Sequence, residues 1–484
     1  MRNLQNIVAE IVSELVRIHD LPRPYMDEGD EFPVVRELPV GNGRVIAISR
    51  KIEQLIADVS RTMHDRPSLK QNFTAKDYRD LVRRSFGPSL AKIDPAANPV
   101  QLANSVLADV EEEVSRAVDW ILNNGAQEYA FGCTLFTYKD IAAFSIGPVG
   151  FEPRETWLNR KSSDGRSARI VTDGRIERFD RQIANGAISE VSRRRILRVW
   201  QGQKIRPRKQ HSESYYEKDI IRAIGDCPYV CTVKIPGLGS KSGQDKALLA
   251  ARISLTTISL LWEKSSDALN GINLIFDKEM RIGHNIYFTS DGLIFGGGEK
   301  TNLPHAPYVE RKTLETCLRD AGLIFQAAGN VLDWFVNPMS AHGRPILSNV
   351  LMQAMLWFHE GCREIVDIKA VVSFAACMDV LAGGGGRNSI CKLIKCRLGV
   401  DSDAEIHRDG FTAKEVIDQI YDKGRTRFVH GPMKNGANVW DGKLGHDWSE
   451  TRSLAEHLAR LCLVNSLGWA AENPNTDDPG LLLK

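Results

Sequence analysis

Apolar residues recur at three-to-four spacing through the first quarter of the chain, which predicts amphipathic helices there. Leu4, Ile7, Val8, Ile11, Val12 and Leu15 form one stripe. A longer stripe runs through Val100, Ala103, Val106, Leu107, Val110, Val114, Val118 and Ile121, and Asn123, Asn124 and Gly125 stop it. Between them a Pro- and Gly-bearing segment around Leu38 to Arg44 precedes a helix expected from about Val45 to His64. From about Gln127 the pattern changes to short apolar runs separated by Gly, Pro, Asn and Asp. Ala130–Thr137, Ile220–Ile235 and Ile286–Ile294 read as strands of a mixed sheet, with a helix at about Gln244–Glu263.

The last third returns to helical spacing. Ile346, Val350, Leu351, Ala354, Met355 and Phe358 make one stripe. Ile368 to Leu381 makes a denser one, closed by Gly383–Gly386. Thr412, Ala413, Lys414 and Glu415 have the spacing of a capping box and open a helix with Val416, Ile417, Ile420 and Tyr421 on one face. Gly431 and Pro432 end it, and Leu454, Leu458, Leu461 and Leu467 mark a final helix. Helices of this length with short connections predict an up-and-down bundle. The expected organisation is therefore multidomain α+β. Residues 1–126 form a helical amino-terminal region and 127–310 a mixed α/β middle domain, with 311–344 a connecting helix or linker and 345–472 an all-α bundle of four or five helices.

The chain has 484 residues, more than one hydrophobic core usually spans, which agrees with several domains. Its net charge of +2 is close to neutral, so any nucleic-acid surface must come from local clustering. Nine cysteines are scattered without a second Cys or His pair at zinc-finger spacing, so they read as reduced, mostly buried thiols and no metal or cofactor is expected. The amino terminus lacks the continuous apolar core of a signal peptide, and no run of about 18 uncharged apolar residues offers a membrane span. A cytoplasmic protein is expected.

The most informative segment runs from Ile420 to Gly431, where Arg425 stands five residues before His430. Cleavage of RNA by its own 2′-hydroxyl needs a group that moves protons and a cation that steadies the phosphorane. Histidine suits the first role and the permanent, planar fork of arginine the second. On an ideal α-helix five steps of about 100° set the two about 140° apart. They then meet on one phosphate only if the helix ends between them, or if a second copy supplies the partner groups. Without context, Arg and His at a helix end would simply complement the dipole.

The last ~130 residues resemble the HEPN superfamily, most closely the HEPN domain of ApeA-like anti-phage proteins. The resemblance rests on Ala354–Gly361, on Ser373–Leu381 with its trailing glycines, on Cys391–Leu398, and on Ile420, Tyr421, Arg425, Val429, His430 and Gly431, which match an Arg-x4–6-His motif. It implies metal-independent endoribonuclease cleavage of tRNA or other host or phage RNA, leaving a 2′,3′-cyclic phosphate and a 5′-hydroxyl. It implies a homodimer pairing through the bundle, and a toxin or abortive-infection effector in phage defence, answering to a phage-derived trigger or an antitoxin. Arg425 would hold the phosphate and His430 act as acid or base. Thr426 stands where relatives commonly carry Asn, Asp or His, and Asp379 replaces the more usual Glu. Asp379 would either orient Arg425 or serve as a capping or solvated acid. Two alternatives accompany this reading: an inactive HEPN module for dimerisation and RNA or nucleotide binding, and the toxin of a toxin–antitoxin pair.

Residues 151–210 hold sixteen Lys and Arg against seven Asp and Glu. Such an excess can follow an RNA backbone, with Arg193, Arg194, Arg195 and Arg198, and Lys434 elsewhere, as candidate contacts and Phe151, Trp157, Phe179 and Trp200 as stacking faces, or it can be solvated surface. Gly237–Ser242 invites a phosphate-loop reading but lacks the glycine a Walker motif needs before its lysine, which leaves a surface turn or a helix start able to hold an anion. His359, His446 and His457 are read as structural, His359 paired with an acid of the bundle or packed at an interface.

Overall fold

The computed structural model describes residues 3–19, 36–41, 44–65, 67–93, 99–124, 126–171, 187–208, 213–277, 282–300, 303–337, 343–430 and 448–484. Helix accounts for 67% and strand for 10%, so the chain is mixed α+β with its strands confined to small sheets. It divides into two compact units. One comprises Met1–Gln127, Ser167–Ala187 and Ile235–Lys246, and the other comprises Glu128–Arg166, Ile188–Lys234 and Ala247–Lys484.

In the first unit, α1 (Leu4–His19), α2 (Arg50–His64), α4 (Ala75–Leu90) and α5 (Pro99–Asn124) enclose one apolar core, with the short α3 (Pro67–Asn72) between α2 and α4 in the chain. Ile7, Val8, Ile11 and Val12 face that core, as do Val106, Val110 and Val114, so both expected stripes are the buried ones. The helix expected from Val45 begins later. Residues Arg44–Ala47 are strand β2, paired antiparallel with β1 (Glu37–Gly41). Ser49 accepts a hydrogen bond from the amide of Ile52 and so sets the start of α2 at Arg50. Val45 and Ile46 spend their β-branched character in the hairpin, opposite Pro39 and Leu38.

The second unit is built on a five-stranded sheet in the order β4-β5-β6-β3-β7, with β3 at Gln127–Thr134, β4 at Phe144–Ile146, β5 at Val149–Pro153, β6 at Tyr229–Ile235 and β7 at Asn273–Leu274. β4 with β5, β5 with β6 and β3 with β7 run antiparallel. Helices α6 (Arg154–Val171), α7 (Glu190–Trp200) and α8 (Glu213–Ile224) lie between β5 and β6 in the chain. Ile220–Ile224, expected as strand, is the end of α8. Its isoleucines join Trp157, Leu158, Ile196 and Val230 in a satellite core, and the i, i+1, i+4 spacing serves one helix face. β8 (Ile282–Phe288) and β9 (Ile294–Lys300) pair as a separate hairpin.

The carboxy-terminal helices belong to this same unit. After α9 (Ser240–Ser259), α10 (Ser265–Gly271) and α11 (Arg311–Asp320) come α12 (Gly322–Val336), α13 (Pro345–Arg363), α14 (Asp367–Leu381) and α15 (Gly386–Leu398). α16 (Ala413–Ile417) continues into a π-helical segment, Asp418–Thr426, then α17 (Arg427–His430), and α18 (Trp448–Glu472) follows. α12, α13, α14 and α18 pack on one another around Phe358, Phe374, Met378, Cys377 and Leu467, all buried. α12, expected as part of a connecting stretch, therefore contributes Phe325, Ala328, Val331 and Leu332 to the helical core.

Polar bonds join these helices to the segments before them. Thr256 Oγ1 lies 2.7 Å from His359 Nδ1, Glu456 accepts from the amide and hydroxyl of Ser266 at 2.8 and 2.7 Å, and Arg460 donates to the carbonyl of Leu260. His359 is thus a buried structural histidine, bonded at Nδ1 to a threonine. Gly147, at φ +57°, makes the β4–β5 turn, and its backbone abuts Gly329 of α12 so closely that a Cβ there would lie 2.4 Å from the Gly329 oxygen. Both positions need glycine.

Candidate functional site

The apolar α14 carries Asp379 in its last turn, where Ala382 and three glycines turn the chain into α15. Gly384 and Gly386 adopt φ of +76° and +71°, a conformation that side chains disfavour. The turn returns the Gly386 amide to Asp379, which accepts it through Oδ1 at 2.9 Å. The carboxylate therefore sits at the start of α15, where the helix dipole favours a negative charge. Its other oxygen, Oδ2, accepts from Arg425 Nη1 at 2.7 Å. The buried Asp379 thus bonds the first amide of α15 and the Arg425 guanidinium at once.

Arg425 comes from the π-helical segment. The Thr412 capping box forms as the spacing predicts, with Thr412 and Glu415 exchanging side-chain and backbone bonds, and α16 follows it. After Ile417 the winding widens. π-turns are rare and concentrate at functional sites. Here Gly424 presses on the Val371 side chain of α14, which a Cβ would meet at 2.8 Å. Arg387 of α15 binds Asp418 at 2.8 Å and Asp422 at 3.3 Å, while Gln419 donates to Thr451 of α18. The segment is thus clamped from three helices. Wider winding brings residues four apart nearer to stacking, and the Arg425 guanidinium lies 4.9 Å above the Tyr421 ring centroid. Nη1 also donates to the Tyr421 hydroxyl at 2.5 Å.

The result is an anchored but unsaturated fork. Nη1 binds Asp379 and Tyr421, and among the described residues nothing engages Nε or Nη2. Asp379 is 8% exposed and Arg425 32%. Burial, and next the Asp379 charge, push the Tyr421 phenol above its usual range, keeping it protonated at neutral pH.

Thr426 follows, half-buried, as the last π-helical residue. The helix does not end between Arg425 and His430. It changes from π to α winding after Thr426 and continues through His430, so of the two conditions set by the sequence only a second copy leaves these groups able to meet on one phosphate. The His430 side chain lies outside the described residues, as do Lys434, His446, Gly431 and Pro432. Tyr421, placed by the sequence on an apolar helix face and among the residues carrying the resemblance but given no role, joins this cluster. The available signal was an aromatic four residues before an arginine on one helix.

The basic stretch forms a separate cluster whose charges are largely matched internally. Arg193 and Arg194 both bind Glu190, at 2.6 and 2.9 Å. Arg195 binds Glu217 at 2.9 Å, and Arg208 bridges Glu213 and Glu217. Arg160 pairs with Glu152, and Arg154 covers Trp200. Arg198 is exposed on α7 without a carboxylate partner among the described residues. Phe151 and Trp157 are core residues and cannot stack on bases, because their strand and helix turn them inward. Phe179 lies outside the described residues.

Charged arginine partners hold Glu190 and Glu213 down to about 2, through bonds from Arg193 and Arg194 and from Arg208 respectively, with Ser192 adding to the second. A folded-state value below the unfolded one contributes stability above the unfolded pKa and loses it as pH falls towards the folded value. The stabilising difference between wild type and Glu213→Gln should therefore be full above about pH 4.5 and shrink as the pH falls towards about 2. Thermal melts of both proteins across that window measure it, and a pH-independent difference would refute the assignment.

The α9 start is occupied by the protein itself. Asp77 accepts from the amides of Lys241 and Ser242 at 2.7 and 3.0 Å, while also closing the capping box of α4 with Thr74. The Gly237–Ser242 segment is a self-capped helix start rather than an anion site. The buried thiols Cys133, Cys362 and Cys377 are pushed well up by burial, and Cys462 is raised to about 12, which removes them as nucleophiles. Among the described residues no single helix is long and apolar enough to cross a membrane. Comparison with protein-family models, curated proteins and solved structures finds no match to this chain.

Proposed function

We propose that this chain is a HEPN-type endoribonuclease that cuts RNA without a metal, by attack of a ribose 2′-hydroxyl on its own 3′-phosphate. The observation that carries this reading is the state of Arg425: Nη1 held by Asp379 and Tyr421, and the Nε–Nη2 edge unengaged among the described residues, five residues ahead of an imidazole-bearing residue on one continuous helix. A preorganised fork of this kind matches two non-bridging phosphate oxygens.

In the reaction a base takes the 2′-hydroxyl proton as the O2′–P bond forms. The P–O5′ bond then breaks and the leaving oxygen gains a proton. The products are a 2′,3′-cyclic phosphate and a 5′-hydroxyl, with no change of oxidation state. Arg425 neutralises the phosphorane, and two bundles paired about a two-fold axis bring the His430 imidazoles to that phosphate to take the 2′-hydroxyl proton and return one to the leaving oxygen. The α12–α15 and α18 helices are then the HEPN bundle, and the preceding segments restrain or trigger it. The family likeness points to tRNA or another host or phage RNA as substrate, in the cytoplasm, within an abortive-infection response.

Purified protein incubated with total tRNA in EDTA tests this. Cleavage that survives chelation and falls by about 10²-fold or more, to a residual rate, in Arg425→Ala and His430→Ala is expected. RNA binding without cleavage would make the bundle a recognition module instead.

A further inference from the structure

Resting on that reading of Arg425, we infer that Tyr421 is a positioning residue: its ring and hydroxyl, together with Asp379, hold the guanidinium so that the Nε–Nη2 edge meets the scissile phosphate. Three contacts define this role. The ring lies beneath the guanidinium at 4.9 Å, the hydroxyl accepts from Nη1 at 2.5 Å, and the same hydroxyl reaches Asp379 Oδ2 at 3.5 Å. Asp379 alone would leave the fork free to swing about the single Nη1 bond. Adding a face contact and a second acceptor fixes both the plane and the direction of the group.

The surroundings are built for that hydroxyl. Gly386, at φ +71°, would carry a Cβ only 3.3 Å from the Tyr421 oxygen, so the glycine turn that delivers an amide to Asp379 also makes room for the phenol. Tyr421 therefore meets all three parts of the cluster: the acid of α14, the first residue of α15 and the arginine one π-turn later. It does not reach the phosphate edge and is not assigned a proton transfer.

The test uses the full-length chain and the variants Tyr421→Phe, Arg425→Ala and their combination. Removing a hydrogen bond to a charged group is worth about 10- to 100-fold. Tyr421→Phe should lower kcat by about that factor with little change in KM, since the fork acts on the transition state. In the Arg425→Ala background the same change should have no further effect. Losses that multiply in the double variant would overturn the role, because a merely structural tyrosine acts independently of Arg425.

A second measurement does not depend on catalysis. Nitrogen-15 relaxation of the arginine guanidinium groups, with Arg425 assigned by its absence in Arg425→Ala, should show hindered rotation in the wild type and averaging in Tyr421→Phe. If the wild-type protein cuts no RNA, the nuclease reading fails while this experiment still decides the positioning claim. An Arg425 signal unchanged by Tyr421→Phe would refute it.

Discussion

Arg425→Lys should lower RNA cleavage by about 10²- to 10³-fold, the loss seen when one preorganised donor to a developing oxyanion is removed. The charge is kept, so an account based on charge alone predicts little change. Geometry predicts otherwise. Arg425 meets Asp379 and Tyr421 with one nitrogen, and among the described residues its Nε–Nη2 edge is unengaged. A lysine ammonium is a single point at the end of a flexible stem. Bonded to Asp379, it has no planar second edge to offer a phosphate. Single-turnover rates at saturating RNA check this, with melting temperature as the folding control. Retention of more than about a tenth of the wild-type rate, where a loss of 10²-fold is expected, would rule out the fork.

Asp379→Ala should cost both stability and activity. The carboxylate satisfies the Gly386 amide and Arg425 together, and it is nearly buried. Breaking a fully buried ion pair costs about 3–5 kcal/mol, and exposed pairs are worth about 0–1 kcal/mol. With Arg425 about a third exposed, a value of about 2 kcal/mol is expected between those limits. Asp379→Asn keeps an acceptor for the Gly386 amide while losing the charge, so it should fall between wild type and alanine in stability. Its cleavage rate should approach that of Asp379→Ala, because the neutral amide anchors the guanidinium poorly. Equilibrium urea denaturation and cleavage assays on the same samples separate the two effects. An alanine variant as stable and as active as wild type would remove Asp379 from the site.

Much of the helical framework was legible in the chain. The stripes of α1, α5, α13 and α14 rest on burial at a fixed period, and most of the same residues line the cores, with Ile346 at the start of α13 left exposed. The Thr412 capping box and the glycine stop after Leu381 are local chemistry, readable without tertiary context. Signals that depend on partners were not legible. Val45 and Ile46 continue a helical pattern, yet Ser49 and the hairpin place them in a strand. Ile220–Ile224 is apolar enough for a strand, and only its packing on Trp157 and Ile196 makes it helix.

The site divides in the same way. Asp379 and Arg425 were candidates because of their motif, 46 residues apart in sequence. The π winding that unites them with Tyr421 depends on Gly424 against Val371 and on Arg387 against Asp418, contacts that no periodicity reveals. Charge counting leaves the arginines of α7 open as RNA contacts or solvated surface, since it does not reveal that Glu190 pairs with Arg193 and Arg194 and Glu217 with Arg195.

The chemistry of the cut ends bears most directly on the proposed reaction. An RNA with one defined cleavage site, digested in EDTA by the full-length protein, should yield a 2′,3′-cyclic phosphate and a 5′-hydroxyl. The same strand with a 2′-deoxy nucleotide at that site should stay intact. Fragments bearing a 5′-phosphate, or scission of the deoxy-substituted strand, would contradict attack by the ribose hydroxyl at an Arg425-held phosphate.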